Sequence, residues 1–103
     1  MENASRPNLQ TKLMELLGSK NVYYQPPESV KMQYDAIRYS KKNIDVRYAN
    51  DAKYSKMNCY EITVIARKPD SPVIDKLLDL PYCSFDRHYN SDNLSHDVFT
   101  LYY

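Results

Sequence analysis

The chain has 103 residues, the length of one ordinary domain. Its 14 lysines and arginines nearly balance its 13 acidic residues, so the net charge does not favour a DNA-binding protein. A single glycine excludes a P-loop and a dinucleotide-binding fingerprint, because both need several glycines where the backbone approaches phosphate.

The N-terminal part is predicted to contain a short arm and one helix. Residues 1–7 are polar and predicted to be flexible, ahead of a single domain over residues 8–103. Leucines 9, 13, 16 and 17 share one helical face and predict a helix over residues 9–17. Asn8 is a suitable N-cap, and Gly18 is a suitable residue to end the helix.

The middle of the chain alternates between β-type and polar segments. Residues 22–24, 36–39 and 44–48 are predicted to be strands, because apolar and aromatic side chains alternate there with polar ones. Residues 41–43 are predicted to form a polar turn, and residues 49–56 a loop or hairpin tip.

The C-terminal half contains the clearest signals. Alternation over residues 57–67 predicts a strand, and residues 73–80 predict a second helix, with Ser71 as its cap. Two more strands are predicted over residues 82–89 and 97–103, joined by a turn.

The predicted order of elements is therefore α-β-β-β-β-α-β-β. Each amphipathic helix needs an apolar sheet face to cover. The expected fold class is α+β, with a mostly antiparallel sheet and both helices on one face of it.

Four side chains could act as soft metal ligands: Cys59, Cys83, His88 and His96. None of them forms a pair at the short spacing that is typical of structural zinc sites. Packed free thiols and surface imidazoles are the preferred interpretation, and no metal or cofactor is expected. No apolar run is long enough to span a membrane, and the polar N-terminus and the two thiols favour a reducing compartment.

Ser84, Asp86 and His88 alternate, so a regular strand would place them on one face, as a catalytic triad requires. A regular strand aims its amides into the sheet and leaves none for an oxyanion hole. A polar sheet face, with an ion pair from Asp86 to Arg87 or His88, is therefore preferred over a hydrolase site, and no enzymatic activity is expected.

The chain has 11 tyrosines, more than so small a core can bury. Exposed tyrosines are enriched in protein interfaces, whereas tyrosine beside arginine or lysine also stacks on single-stranded bases. The pairs that fit base stacking are Arg38-Tyr39, Arg47-Tyr48 and Lys53-Tyr54. The balanced charge favours protein partners, and a single-stranded nucleic-acid-binding module stays as the alternative.

Residues 41–56 combine basic and aromatic side chains on a predicted hairpin. Three interpretations stay open: a solvated hairpin, a projecting arm that contacts a neighbouring subunit, or a surface facing DNA inside a ring. The candidate interface residues are Lys41, Lys42, Arg47, Tyr48, Lys53 and Tyr54.

Three segments of the sequence resemble a known family. They are residues 9–18 running into 21–27, residues 32–39, and residues 80–89 followed by 93–103. Together they are similar to the small tail-completion proteins of long-tailed bacteriophages (siphophages), which include tail terminators and tail-to-head joining proteins. Asp35 stands where that family often has proline.

The resemblance implies an α+β fold with helices packed on a sheet and no catalytic activity. It implies copies that form a ring, commonly a hexamer, at the head-tail interface of the virion. The implied partners are the tail tube protein, the head connector or stopper protein, and DNA passing through the ring channel. Assembly would take place in the host cytoplasm.

Overall fold

The computed structural model describes the backbone of residues 6–27, 29–49, 52–68 and 71–103, and the side chains in these ranges except at residues 6, 45–49 and 52–57. The elements are α1 (Arg6–Leu17), β1 (Val22–Tyr24), β2 (Ala36–Ala49), β3 (Ala52–Ala66), α2 (Pro72–Leu78), β4 (Cys83–Ser91) and β5 (Leu94–Tyr102). The flexible arm predicted over residues 1–7 falls mostly outside the described residues, although Arg6 and Pro7 belong to α1.

The strands form one five-stranded sheet in the order β1-β2-β3-β5-β4. All neighbours are antiparallel except β1 and β2, which run parallel. The predicted α+β class with a mostly antiparallel sheet is confirmed. The last strand in sequence, β5, lies inside the sheet, and β1 and β4 form its two edges.

One long hairpin replaces three predicted segments. The predicted strands at 36–39 and 44–48 are a single strand, β2, and β3 begins at Ala52 inside the predicted loop. Lys41 lies opposite Tyr60 and Asn43 opposite Cys59, so residues 41–43 contain a β-bulge instead of a turn. Polar residues fit a strand here because both of its faces reach solvent. The observed order is therefore α-β-β-β-α-β-β.

Both helices cover the same face of the sheet, as predicted. Leu9 and Leu13 of α1 and Val73 and Leu77 of α2 are buried in one core with the sheet. The sheet residues of this core are Val22, Ile37, Tyr39, Tyr60, Ile62, Val64, Phe99 and Leu101. Each large apolar side chain buried there contributes about 1.5–3 kcal/mol to stability.

Gly18 and Ser71 act at the helix ends as predicted, but the predicted N-cap Asn8 is wrong, because α1 begins at Arg6 and Asn8 lies inside it. Gly18 has a φ of +76° and its amide donates to the carbonyl of Met14 at 2.8 Å, which closes the last turn of α1. The Ser71 hydroxyl accepts a hydrogen bond of 3.3 Å from the amide of Val73, as an N-cap does. The second helix ends at Leu78, two residues earlier than predicted.

A two-residue turn joins β4 to β5. Asp92 and Asn93 both have positive φ, 53° and 63°, which is typical of the type I′ turn that matches the twist of a hairpin. Both flanking strands therefore extend further into the predicted turn than expected, with Ser91 opposite Leu94.

Candidate assembly surface

The hairpin of β2 and β3 extends past the rest of the sheet. We call residues 42–49 and 52–57 the β-arm, because within the described residues no strand other than β2 and β3 pairs with them. At about 3.3 Å per residue, an eight-residue strand is about 26 Å long. The long axis of the molecule is 51 Å, against 26 and 22 Å for the other two.

The predicted interface residues occupy two places on the hairpin. Lys41 and Lys42 lie at the base of the β-arm and are exposed. Near the tip, Tyr48 is opposite Lys53, and Tyr54 falls at a second register shift, beside the pairing of Arg47 with Ser55. The structure therefore brings the four tip residues together along the backbone, and it separates them from the two lysines at the base.

The β-arm lacks the flanking strand that the rest of the hairpin has. Among the described pairings, β1 and β5 flank the hairpin elsewhere, but no third strand pairs with residues 45–49 or 52–57. A two-stranded ribbon alone is at best marginally stable in water, whereas three strands with a covered face are stable. We therefore expect the β-arm to gain stability from pairing with another strand.

A second exposed surface lies at the β4 edge, defined here as residues 82–91. Every residue of β4 except Cys83 is exposed. Tyr82 is 70% exposed, Phe85 48% and Tyr89 41%. The ring of Phe85 packs edge-on against Phe99 at 5.5 Å, and Tyr89 stacks on His96 at 4.7 Å. Two of the three rings are thus held in place by the chain while one side of each faces solvent.

The β4 edge was not identified from the sequence. Its signal was the surplus of tyrosines, which indicates exposed rings without locating them. The order of strands in the sheet decides which strand is an edge, and local alternation does not report that order.

A β-bulge at Asp86 separates the three residues of the considered triad. The register shifts between Phe85 and Arg87, so Ser84 lies opposite Thr100 while His88 lies opposite Asp97. The prediction that Ser84, Asp86 and His88 share one face is therefore wrong. Ser84 is on the face without helices, and His88 is on the other face, because the extra residue inverts the alternation.

Each charged residue near the bulge has a local partner. His88 Nδ1 lies 2.8 Å from Oδ1 of Asp97, and Arg87 contacts Asp86 at 2.8 Å and Glu61 at 3.4 Å. The expected ion pair of Asp86 with Arg87 is confirmed. These contacts describe a polar sheet surface, in which His88 contacts Asp97 and lies on the opposite face from Ser84.

Among the described residues, the face without helices carries a shallow depression. It has a volume of about 120 Å³ and is lined by Arg38, Ser40, Glu61 and Thr63 together with the backbone side of Tyr39. Ligand pockets usually measure about 300–1,000 Å³, so this depression is too small to enclose a substrate. The side chain of Tyr39 is itself buried in the core at 1% exposure, so the predicted Arg38-Tyr39 stacking pair does not present a ring to a base.

The two cysteines are free and lie on opposite faces of the sheet. Cys59 is opposite Tyr102 on the face without helices, and Cys83 is opposite Leu101 on the covered face. Burial raises the pKa of the Cys83 thiol. In the part of the chain that the structure describes, no group of three or more histidine, cysteine, aspartate or glutamate side chains is placed to hold a metal ion.

The comparisons with known proteins add no relative. The chain matches no protein-family model, no curated protein and no solved structure. Over the described ranges, neither helix combines the length and the apolar character that crossing a membrane requires.

Proposed function

We propose that this chain is a virion structural protein whose copies form a ring, commonly a hexamer, at the head-tail interface of a long-tailed bacteriophage. In this role it completes the tail and joins it to the head connector. The observation that carries the proposal is the β-arm, a two-stranded ribbon with which no third strand of the described chain pairs. The resemblance of residues 9–103 to tail-completion proteins supports the same role.

A ring places a specific demand on its subunit. Closed rings form through heterologous interfaces, so each subunit must present two different surfaces to its two neighbours. The β-arm and the β4 edge are two such surfaces, and they lie on different strands of the sheet. The upper and lower faces of the ring would meet the tail tube protein and the connector, with DNA in the channel.

A deletion mutant of the parent phage tests the role directly, with the lysate viewed by negative-stain electron microscopy. We expect DNA-filled heads beside unattached tails. Tails of normal length would identify a joining protein, and overlong tails a terminator. Intact, normally tailed virions would overturn the proposal.

Complementation of that mutant tests the β-arm. The double variant Tyr48→Ala/Tyr54→Ala is expected to give a folded monomer that does not assemble and does not restore virions. The matched control is Tyr48→Phe/Tyr54→Phe, which keeps both rings and is expected to restore them. Normal assembly of the alanine variant would remove the β-arm from the proposal.

The alternative is a single-stranded nucleic-acid-binding module. The observation that favours it is the exposure of Arg38, Lys41 and Lys42 along β2. It predicts binding to a single-stranded oligonucleotide that weakens steeply as salt rises. No measurable binding at low salt would reject it.

A further inference from the structure

We propose that the β-arm of one copy docks along the β4 edge of the next copy and extends its sheet. This inference rests on the proposed function and names the two surfaces that build the ring. The occupant of the β4 edge is then a second copy of this chain, bound head to tail.

The β4 edge is built like a strand-accepting surface. Eight of the nine residues of β4 pair with β5, and within the described chain no other strand pairs with the opposite side of β4. Natural edge strands are usually shortened, covered or interrupted by proline, because a long bare edge is a template for another strand. Here β4 contains no proline, and its irregularity is the single bulge at Asp86.

The register identifies amides that point away from β5. The two-residue turn makes Ser91 and Leu94 a hydrogen-bonded pair, and such pairs alternate along an antiparallel ladder. The amides of His88 and Asn90 therefore point outward. At the other end of the strand, the amide of Tyr102 donates to the carbonyl of Tyr82 at 3.1 Å, so Tyr82 faces β5. Because the direction alternates from one residue to the next, the amide of Phe85, three residues later, points outward as well.

The β-arm fits this edge in length. Its longer strand, residues 42–49, has eight residues, and β4 has nine. Adding the arm to the edge would place each of them in a ladder of more than two strands, which is the condition for stable pairing. The rings of Tyr82, Phe85 and Tyr89 would flank the added strand and lose their exposed area to water.

The charges favour pairing of the arm with the edge over pairing of two arms. Residues 41–56 carry five lysines and arginines against two aspartates. The β4 edge carries one aspartate, Asp86, and one arginine, Arg87, which contact each other at 2.8 Å. Two basic arms side by side would repel each other, whereas the edge has no excess of basic over acidic residues. The charges therefore favour the head-to-tail arrangement over pairing of two arms.

The test uses two variants that each lack one surface. In the short-arm variant, residues 45–57 are replaced by Asn-Gly, which joins Ile44 to Asn58, its partner in the hairpin. In the edge variant, Asn90→Pro removes an outward amide and fills the space of the incoming strand, and a proline at such an edge position is tolerated by the sheet itself. Asn90→Ala, which keeps the amide, is the matched control.

Masses are measured by native mass spectrometry and light scattering for each protein alone and for equimolar mixtures. Wild type and Asn90→Ala are expected to self-associate, and each disabled variant alone is expected to stay monomeric. The mixture is expected to give a one-to-one dimer that grows no further, because the remaining arm meets the remaining edge and no second pair is left.

Three results would overturn the inference. The first is a mixture that stays monomeric up to about 1 mM, the weakest range of a specific contact. The second is a short-arm variant that dimerises alone, which would indicate pairing between two β4 edges. The third is an edge variant that assembles like wild type. In each case the phage deletion still reports separately on the proposed function.

A second edge variant covers the case in which Asn90→Pro does not fold. Asn90→Lys keeps the amide but places a basic side chain against the basic arm, and it is expected to weaken self-association by about tenfold. Association that strengthens as salt is added would indicate pairing of two basic arms, whose repulsion salt screens, and would also overturn the inference.

Discussion

The two ends of strand β3 lie in different surroundings. In the body of the sheet, the side chains of Tyr60, Ile62 and Val64 are at most 1% exposed to solvent. There β2 and β5 flank the strand, and both helices cover one face of it. In the β-arm, the same strand has β2 as its one partner within the described chain. Continuous pairing therefore runs through two regions that depend on different sources of stability.

The difference teaches that pairing and stability are separate properties. The ladder hydrogen bonds are present in both regions, and each contributes little net free energy because water offers the same bonds to the unfolded chain. In the body, burial of apolar surface under the two helices adds the larger contribution. We expect the body to fold by itself and the β-arm to be stabilised by a partner.

The largest effect is expected from a core substitution in the body. Phe99 is fully buried between the helices and the sheet, so Phe99→Ala is expected to lower the free energy of unfolding by about 3–5 kcal/mol. Phe85→Ala is the control, because Phe85 is half exposed and its ring contact with Phe99 is worth about 1 kcal/mol. Denaturant titration measures both, and equal losses would contradict the placement of the core.

A smaller effect is expected from the hydrogen bonds that tie α1 to the sheet. The Tyr39 hydroxyl donates to Oε1 of Gln10 at 2.6 Å, and Nε2 of Gln10 donates to the carbonyl of Val22 at 3.0 Å. Tyr39→Phe leaves a partly buried acceptor without this donor and is expected to cost about 1–2 kcal/mol.

The control for Tyr39→Phe is Tyr23→Phe. The Tyr23 hydroxyl accepts a bond from the amide of Gln33 in an exposed place, so its loss is expected to stay within about 0.5 kcal/mol. If Tyr23→Phe lowered the free energy of unfolding more than Tyr39→Phe does, the hydrogen bonds through Gln10 would not be what stabilises the contact of α1 with the sheet.

A still smaller effect is expected from pH at the edge of the body. Because burial raises the pKa of Cys83 in the folded chain, the unfolded chain loses the thiol proton first as pH rises. The resulting stability is present below the ordinary thiol pKa and is lost as pH rises toward the raised value. Between about pH 8 and 10, wild type should therefore lose more stability than Cys83→Ala. Parallel curves would contradict this contribution.

The smallest effect on stability is expected from removal of the β-arm. The short-arm variant is expected to keep the free energy of unfolding within about 1 kcal/mol of wild type at concentrations where both are monomeric. Circular dichroism with denaturant titration measures it. A loss as large as that of Phe99→Ala would end the distinction between the two regions, because the arm would then belong to the same folding unit.

Local signals in the sequence predicted much of the body. The alternation of Tyr60, Ile62 and Val64 predicts the central strand, and the Ser71 cap predicts the start of α2; both depend on neighbours in the chain and are confirmed. The bulges at Lys42 and Asp86 were missed. A bulge is fixed by the partner strand, which the sequence of one strand does not describe.

The candidate surfaces were predicted less completely. The position of a basic, aromatic hairpin was predicted from residues 41–56, but its length was not, because Lys41, Lys42 and Asn43 have the composition of a turn. The β4 edge depends on strand order, a property of the whole sheet. The roles of Lys41, Lys42, Arg47, Tyr48, Lys53 and Tyr54 in an interface stay a prediction.

The position of β5 has a consequence for how the chain folds during synthesis. β5 lies between β3 and β4 but follows both in sequence, so a ribosome must deliver residues up to Tyr102 before the sheet can close. Until then, β3 and β4 have no strand between them, and the core lacks Phe99 and Leu101. We expect nascent chains that stop before Leu94 to be sensitive to protease and chains that include β5 to be resistant.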